Sequence, residues 1–197
     1  MSMDVGKPLG DMKLVLYTPT RSLPPHVRIT PGGAFAWGDK LVMVAHSKDL
    51  ETEGGDICVF FEGTNSFADV QTDLNGITMT DFDPMRDGDG PTGAKAHAGF
   101  YRSFMKLKSA LHDALDDLIN RVPADKNIRV VVTGHSLGGA LAQLAMGWLL
   151  LWFDEAPGRE GRRFHYRKLP DHVGIPPRCR VLAVTFGQPK VGNAVFC

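Results

Sequence analysis

The chain has 197 residues, enough for one domain with a sizeable core, and its 43% hydrophobic and 22% charged content is that of an ordinary globular protein. Twenty-two basic residues against 22 acidic ones leave no net field for nucleic acid or an anionic membrane surface. That balance excludes a dedicated nucleic-acid binder.

In chain order, residues 1–33 are proline-rich (SLPPHVRITPGG) and read as an irregular N-terminal arm on a single domain spanning 1–197. The opening MSMDVGKPLGDMKLVLY has only a short apolar stretch, broken by Lys13, and does not match a signal peptide. The three cysteines, Cys58, Cys179 and Cys197, make neither a disulfide framework nor a metal-ligand spacing. Together these features set a reducing, cytoplasmic compartment as the expected one.

Leu41 to Ala45 reads as a strand, and after a Glu-Gly-Gly-Asp turn comes Ile57-Cys-Val-Phe-Phe61, apolar at every position. Such a run suits a strand buried on both faces of a sheet. Asp81 to Gly93 is acidic and full of breakers, so a surface loop is expected. Its oxygen ligands do not alternate as a calcium loop requires, and no glutamate closes it.

From Gly99 to Val122 the residues Phe100, Phe104, Leu107, Leu111, Leu115, Leu118 and Val122 recur every three or four positions, predicting an amphipathic helix that ends at Pro123. Ile128 to Thr133 is a β-branched strand, followed by an apolar run from Leu137 to Phe153. That run is too short and too glycine-rich to span a bilayer and reads as a buried helix, the alternative being lipid contact through Trp148, Trp152 and Phe153 near its end. After a polar insert over 154–178, Val181 to Phe186 is another strand. Alternating strands and helices predict an α/β fold: a mostly parallel sheet with helices on both faces.

One motif carries chemistry. Gly134-His-Ser-Leu-Gly138 fits Gly-x-Ser-x-Gly, with a strand before it and a helix after it. A serine on so sharp a turn has a strained backbone, and its neighbours two residues away must lack side chains. The helix start adds unpaired N–H groups and a positive dipole end, both suited to an oxyanion. Ser136 is therefore a candidate nucleophile.

Four segments together resemble the class 3 lipases, the fungal-lipase-like branch of the α/β-hydrolases. They are Val59-Phe-Phe-Glu-Gly-Thr64 with Thr72-Asp-Leu74, His97-Ala-Gly-Phe-Tyr101, Thr133-Gly-His-Ser-Leu-Gly-Gly139, and Thr185-Phe-Gly-Gln-Pro-Lys-Val-Gly-Asn193. The resemblance implies an α/β-hydrolase fold and a serine ester hydrolase of the triacylglycerol lipase type, acting in lipid metabolism. By resemblance, Ser136 attacks the ester, while the N–H groups of Leu137 and Thr64, with the Thr64 hydroxyl beside them, hold the oxyanion. Asn65 to Gln71 corresponds to a lid, here a small one, with only Phe67 and Val70 as apolar cover. The family's arginine before the Gly-Thr pair is replaced by Glu62.

A serine needs a base, and the base needs an orienting group. His165 and His172 follow Ser136, but the elbow helix carries the chain to the wrong end of the sheet for them to serve. His97 and His135 are expected to be buried structural histidines. In the family the catalytic aspartate and histidine lie beyond the last motif, whereas this chain stops at Cys197, so a fragment lacking the last strands is expected. A lipid or other ester is the expected substrate, with transient contact to a membrane or lipid-droplet surface and no cofactor or metal. The alternatives are a non-catalytic lipid-binding or interaction protein derived from a lipase, or a phospholipase or galactolipase.

Overall fold

The computed structural model describes residues 14–16, 28–29, 35–37, 40–63, 78–84, 93–153 and 179–196. The elements are β1 (Leu14–Leu16), β2 (Arg28–Ile29), β3 (Phe35–Trp37), β4 (Lys40–Ser47), α1 (Leu50–Glu53), β5 (Gly55–Phe61), β6 (Met79–Asp81), β7 (Lys95–His97), α2 (Ala98–Arg121), β8 (Ile128–His135), α3 (Leu137–Phe153) and β9 (Cys179–Phe186). The expected strands and both long helices are present. The arm expected over 1–33 is not irregular throughout, because β1 and β2 lie within it. Both pair into the sheet: β1 runs antiparallel to β4, and β2 to β3.

Seven strands form one sheet in the order β2-β3-β4-β5-β8-β9, with β1 also on β4, and β6 and β7 form a separate hairpin. The half that follows the predicted strand–helix alternation is parallel, β5 to β8 to β9. β4 joins it antiparallel through the tight turn that contains α1.

The inner face stacks Ile57 and Val59 of β5 beside Val130 and Val132 of β8, all four fully buried. α3 covers this face and α2 packs against α3, for instance Phe104 against Trp148 at 6.0 Å between ring centres. The spacing along α2 buries Phe100, Phe104, Leu107, Leu111, Leu115 and Leu118, each contributing about 2 kcal/mol. The helix stops at Val122, whose backbone is extended, as the residue before a proline prefers.

Among the described residues both long helices lie on one face of the sheet. The reason is handedness: β5, β8 and β9 advance across the sheet in one direction, so two right-handed crossovers land on the same side. The opposite face presents Leu182, Val184 and Phe186 of β9, which are 45%, 39% and 58% exposed. As the reading of a buried helix requires, Trp148 and Trp152 are buried and stacked on each other at 5.3 Å, because α3 is sandwiched between the sheet and α2. Among the described residues no helix is long and apolar enough to cross a membrane.

Candidate active site

β8 ends at His135 and α3 begins at Leu137, which leaves Ser136 alone to make the turn. It does so at φ 55°, and among the described residues no other non-glycine has a positive φ. That conformation costs an L-residue about 1–2 kcal/mol. The Ser136 carbonyl accepts from the Ala140 N–H (3.1 Å), so Ser136 caps the helix, while its own N–H donates to the Phe186 carbonyl (2.9 Å). Ser136 is 4% exposed and Leu137 7%. Leu137 is the first residue of α3, so its N–H has no intrahelical acceptor and sits at the positive end of the helix dipole.

The glycines of the turn are steric requirements. A side-chain carbon at 134 would lie 2.3 Å from the Gly138 carbonyl carbon, and one at 138 would lie 2.3 Å from the Phe61 carbonyl oxygen. Gly63 makes the same kind of approach: its side-chain carbon would be 2.6 Å from the His135 carbonyl oxygen and 3.9 Å from Ser136 Cβ. These contacts bring the end of β5, Glu62 and Gly63, against the serine turn. The arrangement sets a serine beside a helix start and a close backbone loop, which is the setting acyl transfer requires.

Thr64 lies outside the described residues, as do residues 65–71, expected to form a lid, residues 85–92 and residues 154–178 with His165 and His172. Of the histidines preceding Ser136 that were expected to be buried, His97 is so. It ends β7 directly before α2, its ring lies 4.4 Å from that of Phe100, and its backbone N–H donates to the Val191 carbonyl (2.8 Å). His135 is exposed, because alternation along β8 turns it to the open side of the sheet. Glu62 is also exposed. Cys58 is buried and free, and that burial, with the Asp56 charge adding to it, raises its thiol above the usual range, so it is no rival nucleophile.

Sequence reading overlooked what the segment after β9 does. Gly187, with φ 56°, releases the chain from the strand, and Gln188 then packs over Gly139 and donates from Nε2 to Gln143 Oε1 of α3 (3.0 Å). Asn193 fastens the hairpin: its Oδ1 accepts from the N–H groups of Lys95 (3.0 Å) and Phe196 (3.1 Å), and its Nδ2 donates to the Gly93 carbonyl (2.8 Å). The only signal available was the motif itself, two glycines spaced around Gln188-Pro189, which says that a turn is tight without saying what it grips.

The sequence profile of the lipase (class 3) family matches residues 58–197. The chain belongs to the class 3 lipase family. The lipase of Rhizopus niveus is 32% identical over 140 residues, 71% of this chain and 28% of that protein. The crystal structure of the Rhizomucor miehei triacylglyceride lipase is similar in fold, with a TM-score of 0.53 and 26% identity over 80% of this chain and 47% of that one. The secreted mono- and diacylglycerol lipase LIP4 of Malassezia restricta is 27% identical over 158 residues, 79% of this chain and 41% of that protein. The chain therefore spans less than half the length of each of these relatives. Their fold is that of the α/β-hydrolases, as expected. The cytoplasmic compartment expected from the N-terminus and cysteines is overturned by a class 3 lipase relative that is secreted. Unpaired cysteines are a weak guide here, since a buried thiol such as Cys58 is shielded whatever the compartment.

Proposed function

We propose that this class 3 lipase chain is the nucleophile-bearing part of an ester hydrolase acting on acylglycerols, with Ser136 as the attacking group. The observation that carries the reading is the strained, buried Ser136 at the start of α3. In the proposed reaction Ser136 Oγ adds to the ester carbonyl as a histidine base, from outside the described residues, takes its proton. The oxyanion is held by the N–H of Leu137 and that of Thr64, whose hydroxyl assists. Collapse releases the alcohol with that proton and leaves an acyl-enzyme, which water hydrolyses. The substrate class follows from relatives named for triacylglycerides and for mono- and diacylglycerols, and the secretion of one of them supports extracellular action. Transient contact with a lipid surface belongs to the same proposal.

The test is Ser136→Ala in the whole protein, assayed on an emulsified acylglycerol. A loss of at least about a thousandfold is expected. Unchanged hydrolysis would remove Ser136 from the mechanism. If neither parent nor variant cleaves acylglycerols but the parent cleaves phospholipids or galactolipids, the nucleophile stands and the substrate class falls. Failure of the parent to react with any ester or with a fluorophosphonate would favour a non-catalytic lipid-binding protein.

A further inference from the structure

We propose that Gln188 and Gln143 form a strut that positions Ser136, holding in place the Phe186 carbonyl that accepts the serine N–H. The inference rests on the reading of Ser136 as nucleophile, but its geometry is independent of that reading. The parallel ladder between β8 and β9 ends at the pair His135 and Phe186, so beyond Phe186 the sheet no longer holds the chain. Gly187, at φ 56°, then turns away from the strand direction. The Phe186 carbonyl is thus the last group of β9, and its aim depends on what grips residues 187 and 188.

The grip is the Gln188 side chain. Its Cβ fills the place that a side chain at Gly139 would take, at 2.9 Å, so Gly139 leaves a seat for it on the first turn of α3. One turn further along the helix, Gln143 Oε1 accepts from Gln188 Nε2 at 3.0 Å. The Gln188 Oε1 is buried with no hydrogen-bond partner among the described residues. An amide kept there at that cost is poorly explained as a stability device. It is well explained as a positioning residue, because the loop it anchors follows the carbonyl that accepts the Ser136 N–H and the helix it grips begins directly after Ser136.

The test is amide hydrogen exchange on the whole protein, comparing Gln143→Met, which removes the acceptor at nearly constant shape, with Gln143→Glu, which keeps it. In Gln143→Met the Ser136 amide is expected to exchange roughly five- to tenfold faster while Val130 and Val132 in the core of β8 are unchanged, and Gln143→Glu is expected to stay near the parent. An unchanged Ser136 amide in Gln143→Met, or an equal acceleration of Val130 and Val132, would overturn the proposal. Should Gln143→Met fail to fold, Gln188→Met removes the donor from the other end and is judged by the same two amides. The rate of fluorophosphonate labelling at Ser136 should fall in the same order. A parent that is not labelled would count against the nucleophile while leaving the exchange result to judge the strut.

Discussion

Ser136 meets two opposed demands: the turn wants a glycine, and the proposed chemistry wants a hydroxyl. Its φ of 55° belongs to a region that an L-residue enters at a cost, so stability and reactivity should separate at this position. Ser136→Gly is expected to be more stable than Ser136→Ala by about 1 kcal/mol, measured by urea unfolding, although neither carries a nucleophile. Equal stabilities would mean that the turn does not hold residue 136 in the left-handed region. The flanking glycines obey simpler sterics. Each faces backbone rather than a movable side chain, the Gly138 carbonyl for Gly134 and the Phe61 carbonyl for Gly138. The Gly134 collision was legible in the sequence, because it lies within five residues, whereas the Phe61 carbonyl reaches Gly138 only through the packing of β5 beside β8.

At the scale of elements, β5 and β8 are joined by more than their ladder. Asp56 and Arg129 face each other in register, and both carboxylate oxygens accept from the guanidinium at 2.7 Å. The Asp56 hydrogen bonds raise the Arg129 pKa above its ordinary value, though the half-exposed arginine limits what the pair is worth to about 1 kcal/mol. Next to Asp56 on the same strand, Cys58 supplies a pH dependence. Its thiol is raised above the usual 9.0, first by burial and then by the Asp56 charge. Below pH 9 the folded and unfolded chains both keep that proton. Above it the unfolded chain releases the proton before the folded one does, so the thiol's contribution to stability is lost as pH rises. The stability difference between the parent and Cys58→Ala is therefore expected to shrink between pH 8 and pH 10 in urea unfolding. A constant difference would contradict it.

For the molecule as a whole, the one-sided placement of α2 and α3 is the main consequence of topology. The inner face of the sheet is dry, whereas Leu182, Val184 and Phe186 stand exposed in a row on the outer face of β9. Among the described residues β9 also ends the strand order, and a sheet edge with apolar residues along it invites association. The 197-residue chain is expected to self-associate and to bind an apolar dye. Replacing Leu182 and Val184 by Thr and Phe186 by Gln should reduce both at least severalfold, with the far-ultraviolet dichroism unchanged. Light scattering that stays the same after the triple replacement would place the association elsewhere.

The sequence by itself determined the strand–turn–helix around Ser136, the long amphipathic helix and the buried strands. Each is written in residues a few positions apart, through the volume of a side chain, the period of a helix or the absence of a Cβ. Tertiary structure decided what depends on distant residues meeting: the common face of the two helices, the Phe186 carbonyl on the Ser136 amide, Gln188 on Gln143, and Asn193 on the hairpin at Lys95. The last two join residues 45 and 98 positions apart. Local propensity has no term for such pairs, since register and crossover handedness are settled only when the whole sheet assembles.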